Sequence, residues 1–471
     1  MDDKTPNVPF IIAVIPILFV IISLSINAVF WEYDVLNGPS QLVLLTAGII
    51  TLFLARIYQI DVSTVLSLIV KNIKQVGTAI FILVLVGALS ASWMLSGVIP
   101  TLIYNGIQIL NIHFFLPGCL IICCLIALAT GSSWTTSATI GIALMGMSKI
   151  IHIPIEITAG AILSGAYFGD KISPLSDTTN LASGITQTPL FVHIKYMLYT
   201  TIPSILLSLL LFIGINIFGV TPNPNSIDTE NTTSLIATHF NTSNYLLLVL
   251  VFTLLLAAFK IKAYLVLLGG IFLGIIFYVL FQASEPISQE LTTVVRVLIG
   301  IDSVQTQNPF LDKLFFTKGI IGMISTILLI LTAMIFGGIL EATGFLKSIT
   351  FYLLSKIKSV FGLFLNTSLS CLTLNLTASD QYISIVLPGK MFAKAFKEKQ
   401  LASENLSRTL EDSGTVTSVL IPWNTCGAYH TSVLGLHSYH YAFYCFFNML
   451  SPIMTLLFAW FQIKIKKIAF K

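Results

Sequence analysis

The sequence predicts an all-α, polytopic transmembrane helical bundle of about 11–13 spans, at roughly 20 residues each, built as two inverted-topology repeats with broken or re-entrant helices. Three observations carry this. Of 471 residues, 56% are hydrophobic and 9% charged, with a mean hydropathy of +0.93, where a soluble domain carries about a quarter charged residues. The apolar runs are continuous and lack the two-residue alternation of a barrel strand. Stretches rich in hydroxyls and carboxylates interrupt those runs in both halves, and irregular backbone at membrane depth persists only inside protein or beside water.

In chain order, residues 10–31 form a first span, too long for a cleaved signal and without its A-x-A-like end. Residues 40–56 form a second. The connection WEYDVLNGPSQ has no Lys or Arg, whereas Arg56, Lys71 and Lys74 follow the second span and mark the cytoplasmic side. Residues 60–73 read as an interfacial helix and 77–97 as the next span. The apolar stretch from Leu116 to Ile150 is interrupted by ATGSSWTTSAT; it either crosses twice or breaks at a polar elbow. A shorter helix at 155–169 feeds GDKISPLSDTTN, and further spans or helices fall at 195–219, 245–259, 263–283, 319–341, 361–379 and 441–463. The loop 220–244, with Asp228 and Glu230, lies outside, and the turn at Lys260 and Lys262 lies inside. Lys347, Lys356, Lys358, five basic residues from Lys390 to Arg408, and Lys464, Lys466 and Lys467 mark other cytoplasmic ends. The units are therefore 1–75 (two spans and an interfacial segment), a first repeat 76–220, a linker region 221–318 with two spans, and a second repeat 319–471. The polar connection 284–318 divides the halves.

SGVIPTLIY at 96–104 faces TGFLKSITF at 343–351, and TGSSWTTS at 130–137 faces TASDQYIS at 377–384, both at an offset of 247. GDKISP from Gly169 faces EDSGTV from Glu411 at an offset of 242. No basic residue lies near Gly97, whereas Lys347 follows Gly344, so equivalent positions fall on opposite faces. An inverted repeat with interrupted segments in matching places is the signature of a secondary transporter's midplane site.

Four polar breaks, 130–139, 169–180, 375–384 and 411–427, supply the candidate site. The first offers Thr130, Ser132, Ser133 and Thr135; hydroxyl and carbonyl oxygens at a helix break suit Na⁺. The second, GDKISPLSDTTN, offers Asp170, Ser173, Asp177, Thr178, Thr179 and Asn180. The third adds Asn375, Thr377, Ser379 and Asp380, and the fourth Asp412, Ser413 and Asn424. A carboxylate held away from water can carry a proton and surrender it when Na⁺ arrives. Asp177, Asp170, Ser132 and Ser133 are the Na⁺ candidates. The bland alternatives are a surface pair of Asp170 with Lys171, a solvated Glu411 beside Arg408, an interfacial Glu341, interfacial packing of His430, His437 and His440, and packing roles for Trp134 and Trp423.

Several classes are set aside. The net charge of +4 follows the cytoplasmic loops and does not suggest nucleic acid. Six cysteines in apolar runs read as buried hydrophobes. No nucleotide-binding loop or catalytic motif is visible, so neither an enzyme nor a cofactor is expected.

At the breaks the sequence resembles the NhaC family of Na⁺/H⁺ antiporters. GDKISPLSDTTNLAS at 169–183 carries the resemblance most specifically, with ATGSSWTTSATIG at 129–141 and LEDSGTVTSVLIPWNTCGAY at 410–429. The resemblance implies an inverted-repeat antiporter of the bacterial plasma membrane that exports Na⁺ in exchange for H⁺ by alternating access. The same family includes exchangers of protonated malate for Na⁺ and lactate, which is the alternative; a channel is a third reading. Expected partners are Na⁺, H⁺ and the lipid bilayer, lactate or malate under the alternative, and a second copy as a candidate homodimer.

Overall fold

A computed structural model describes residues 8–31, 38–56, 62–109, 114–219, 229–259, 261–355 and 359–468. Asp228, Lys260, Lys356 and Lys358, invoked above, lie outside these residues. Within them the chain is helical, and an isolated bridge between Leu401 and Lys467 is the one strand-like pairing.

The N-terminal unit is α1 (Phe10–Trp31), α2 (Pro39–Ala55) and α3 (Val62–Gln75). Next come α4 (Gly77–Leu95), α5 (Val98–Ile109), α6 (Phe115–Thr130), α7 (Ser133–Thr136), a π turn, α8 (Ile142–Ile150), α9 (Ile155–Ile172), α10 (Asp177–Ile185) and α11 (Leu190–Gly214). The middle holds α12 (Thr229–His239), α13 (Leu247–Ala258), α14 (Ala263–Phe281), α15 (Ile287–Ile299) and α16 (Pro309–Leu314). The last part is α17 (Ile324–Ala342), α18 (Phe345–Ser355), α19 (Val360–Thr377), α20 (Gln381–Glu398), α21 (Ser403–Leu410), α22 (Thr425–Leu434), α23 (Ser438–Tyr441) and α24 (Phe446–Trp460). Among the described residues, six helices are long and apolar enough to cross a membrane, or eight if each of two bent pairs is one span. Other apolar runs counted toward 11–13 spans form shorter helices such as α2 and α6. This is a multi-pass membrane protein.

The stretch from Leu116 to Ile150 is a hairpin. Residues 120, 124 and 128 of α6 meet residues 165, 169 and 173 of α9 in the same order, so those helices run parallel. Ser133 meets Asp170 and Gly141 meets Ile162, so the second arm runs antiparallel to α9. The tip is Gly131, whose φ of +67° suits a residue without Cβ, followed by the N-cap Ser132. The second half repeats the design. Ser368 and Asn375 of α19 meet Ser413 and Gly414 in parallel order, whereas Gln381, Ser384 and Gly389 of α20 meet Ser418, Gly414 and Leu410 in reverse. Its tip is Ser379 (φ +56°) followed by the N-cap Asp380.

The hairpins enter from opposite ends of the bundle. At the C-terminal end of α11, Asn216 accepts from the Leu116 N–H at the mouth of the first. At the other end, Thr188 bonds Ser403 beside the mouth of the second. Twenty-five residues of α11 separate these ends, about 37 Å of helix.

Element boundaries recur between the halves. Both ends of α4 and α17, the starts of α5 and α18, and the ends of α6 and α19 all differ by 247. The hairpin tips Gly131 and Ser379, the starts of α9 and α21, and the later N-caps Ser176 and Asn424 differ by 248. The match of Gly169 with Glu411 at 242 is therefore corrected. Small polar residues match at many offsets, whereas helix caps do not slide.

Gly165 and Gly169 let α9 lie against α6: a Cβ at Gly169 would fall 2.4 Å from the Cys124 carbonyl oxygen. Gly169→Ala is expected to destabilise the protein by about 1–3 kcal/mol, the usual range for overpacking, read as a lowered thermal midpoint in detergent.

The connection 284–318 is not merely polar. Within it, α15 buries Val294 and Val297 against Ala91, Leu95 and Tyr278, the three-residue spacing placing both on one helical face. Glu290 anchors its start, accepting from Tyr278 Oη and from the N–H groups of Ser284 (2.9 Å) and Glu285 (2.8 Å). Burial alone raises the Glu290 pKa, but these three donors hold it below the ordinary glutamate range. Its contribution is present above that range and lost as pH falls through it. Amide exchange across 284–299 is expected to accelerate on acidification in wild type and to lose that acid dependence in Glu290→Gln.

Candidate ion-binding site

Both hairpin tips and the break between α9 and α10 converge on a cavity of about 160 Å³. From the first tip come Ser132, Ser133, Trp134 and Thr135; from the second, Asp380, Gln381 and Tyr382. Asp170 and Asp177 enter from either side of the α9–α10 break, and Thr425, Cys426 and Tyr429 from α22. Gln75 at the end of α3, Thr78 at the start of α4 and Ala263 at the start of α14 also line it, near Lys71, Lys74 and Lys262. Trp134 stacks on Tyr429 at 3.9 Å between ring centroids, and the Tyr429 hydroxyl donates to the Trp134 carbonyl at 3.0 Å.

Asp170 is the most deeply buried acid of the cavity, 4% exposed against 8% for Asp380. Its Oδ2 accepts from the Ser133 N–H (3.0 Å) and hydroxyl (2.7 Å). Its Oδ1 is buried and has no hydrogen-bond partner among the described residues. A carboxylate oxygen left so in a dry interior calls for a proton or a cation. Beside it, the Ser132 Oγ accepts from the Thr135 N–H and hydroxyl, each at 3.1 Å. Asp177 is exposed at the rim and accepts from the Tyr382 hydroxyl of the second hairpin and the Thr178 N–H (2.9 Å). Asp380 accepts from the Ile383 N–H at 3.0 Å as the N-cap of α20.

The other sequence candidates hold the breaks together and do not line the cavity. Ser173 donates to the Leu128 carbonyl (2.8 Å), Thr179 to the Lys171 carbonyl (2.8 Å), and Asn180 to the carbonyls of Pro174 (3.0 Å) and Ser176 (2.6 Å). Thr178 bonds Ser176 (3.1 Å), and Thr130 reaches the Ser132 carbonyl at 3.5 Å. Asn375 donates to the Gly414 carbonyl (2.7 Å), Asn424 to the Asn375 carbonyl (3.1 Å), Thr377 to the Thr373 carbonyl (2.6 Å) and Ser413 to Ser368 (2.9 Å). Ser379 bends the second tip, its carbonyl accepting from the Thr425 N–H at 2.9 Å.

Charge pairing departs most from the sequence reading. Lys171 does not pair with Asp170 at a surface; fully buried, it pairs with Asp412, which also accepts from Ser451 (2.9 Å), Thr200 (2.8 Å) and Thr455. That saturates Asp412 and leaves it no free oxygen for cargo. Glu411, expected in solvent, is fully buried, with neither oxygen hydrogen-bonded among the described residues. The π turn 411–415 faces it inward among neighbouring helices. His430, expected at an interface, is buried with Nε2 3.4 Å from the Tyr167 hydroxyl. Gln381, Tyr382, Thr425 and Cys426 were missed as lining residues; their place immediately after the N-caps Asp380 and Asn424 was the available signal.

A helical membrane bundle that gathers interrupted helices from both halves around a buried carboxylate is built as a transporter. The chain belongs to the Na⁺/H⁺ antiporter family, whose sequence profile matches residues 165–463. It is 34% identical to the Na⁺/H⁺ antiporter NhaC of Alkalihalophilus pseudofirmus over 99% of this chain and 98% of that one. It is 33% identical to the malate-2H⁺/Na⁺-lactate antiporter of Bacillus subtilis, covering 93% and 92% of the two chains. With the arginine/ornithine antiporter ArcD of Halobacterium salinarum it shares 37% identity over 80% and 78%.

Proposed function

We propose that this chain exports Na⁺ in exchange for H⁺ across the plasma membrane of a bacterium, the two ions taking turns on Asp170. The observation that carries this is the unpartnered Asp170 Oδ1 in a cavity lined by hydroxyls. Ser132, Ser133 and Thr135 supply further oxygens for Na⁺, and Asp177 and Asp380 add negative potential. Because the two ions compete for one oxygen, acid pH raises the Na⁺ concentration needed for half-maximal flux. No cofactor enters this scheme; Na⁺ and H⁺ are cargo.

The paired hairpins support reading the halves as an inverted-topology repeat. The basic residues near Gln75 and Ala263 support a cavity open to the cytoplasm.

A second reading, exchange of small carboxylates such as lactate or malate, is favoured by the similarity to a malate/lactate antiporter. Against it, no Lys or Arg lines the cavity among the described residues, and Lys171 is committed to Asp412. Proteoliposomes holding a pH dye separate the two. Under the first reading Na⁺ alone moves protons; a signal that needs lactate or malate contradicts it and supports the second.

A further inference from the structure

At the end of the bundle where α11 begins, the C-terminal segment folds back over α11 and α21. The Tyr196 hydroxyl sits between Asn405 Oδ1 (2.7 Å) and the Lys464 carbonyl, and accepts from the Lys466 N–H at 3.1 Å. Between this strap and α11 runs a groove of about 630 Å³, lined by Phe191, Lys195, Tyr196, Tyr199, Lys464 and Lys466.

Its chemistry is that of a lipid headgroup site. No carboxylate lines the groove among the described residues. Lys466 is paired with Glu404 (2.6 Å), but Lys195 has no acidic partner among the described residues, and the Lys464 ammonium lies 4.9 Å over the Tyr199 ring. Phe191 is 73% exposed, a poor position in water and a favourable one at a bilayer interface, where aromatic rings and lysines anchor helix ends. Beneath the groove lies an independent feature. Arg408 is fully buried with its guanidinium 4.7 Å from the Tyr196 ring centre. Nη1 reaches the Lys464 carbonyl at 3.5 Å, while Nε and Nη2 donate to nothing among the described residues. A buried guanidinium with two nitrogens left unpaired is unfavourable, and phosphate is the anion its neighbours would collect.

We propose that this groove binds the headgroup of an anionic phospholipid, with its phosphate between Lys195 and Lys464, its acyl chains along Phe191 and Tyr199, and the Arg408 charge beneath adding to the attraction. Anionic lipids of the cytoplasmic leaflet are drawn to such basic pockets. The groove is separate from the Asp170 cavity, and the assignment does not depend on which ions are exchanged.

The test uses the purified full chain in detergent, with thermal unfolding followed after adding phosphatidylglycerol, phosphatidylcholine or inorganic phosphate. Phosphatidylglycerol is expected to raise the midpoint above phosphatidylcholine, and inorganic phosphate to leave it unchanged. Lys195→Gln with Lys464→Gln is expected to remove most of the phosphatidylglycerol increment, and Lys195→Arg with Lys464→Arg to keep it. Both lysines are exposed, so folding is spared; if the double variant fails to fold, Lys195→Gln alone carries the test. Equal shifts from the two lipids, an undiminished increment in the Gln variant, or an equal shift from inorganic phosphate would overturn the proposal.

Discussion

Asp170→Asn is expected to reduce Na⁺-driven proton movement in proteoliposomes by about 100-fold or more while leaving the thermal midpoint near wild type. Asparagine keeps the shape of the side chain and a carbonyl oxygen to accept from the N–H and hydroxyl of Ser133, so the tip of the first hairpin stays anchored. It removes the negative charge facing the cavity and the atom that carries the proton. Losing a charge-assisted contact of about 3 kcal/mol corresponds to roughly a hundredfold in affinity. Retained Na⁺-driven flux in a folded Asp170→Asn protein would move the shared site elsewhere, with Asp177 and Asp380 the remaining acids of the cavity.

Lys171→Met is expected to have the opposite profile, a large effect on stability first. The substitution leaves Asp412 ionised and buried with three hydroxyls and no cation, since Ser451, Thr200 and Thr455 remain. Breaking one side of a buried ion pair costs about 3–5 kcal/mol, which is enough to deplete the folded protein when total stability is about 5–15 kcal/mol. Lys171→Met combined with Asp412→Asn is expected to recover most of the loss, because the uncompensated charge is gone. Fluorescence-detected size exclusion and thermal unfolding in detergent read both variants. Equal instability of the single and double variants would mean that packing of the lysine stem, rather than its charge, holds this junction.

These two residues show where the sequence was legible. Asp170 stood out because a carboxylate beside Pro174 and a run of hydroxyls interrupts an apolar segment, a local pattern with a local physical reason. The polar breaks at 130–139 and 375–384 were visible for the same cause, but their folding as hairpins, with Gly131 before the N-cap Ser132 and Ser379 before the N-cap Asp380, was left open. Partner choice was not visible. Lys171 and Asp412 lie 241 residues apart, and Tyr382 and Asp177 lie 205 apart; no local pattern encodes such pairings. Neighbouring Asp170 and Lys171 point to different partners because successive residues on a helix face directions about 100° apart. Glu411 and His430 were misjudged because burial depends on which helices cover a face, and composition around a residue does not report that.

The competition between Na⁺ and H⁺ for Asp170 is tested most directly without a membrane. Adding Na⁺ to the purified protein in weakly buffered detergent, with a pH indicator present, reports protons displaced as the ion binds. The account predicts saturable acidification in wild type and none in Asp170→Asn. Equal proton release from the two proteins, or none from wild type while Na⁺ binds, would contradict it.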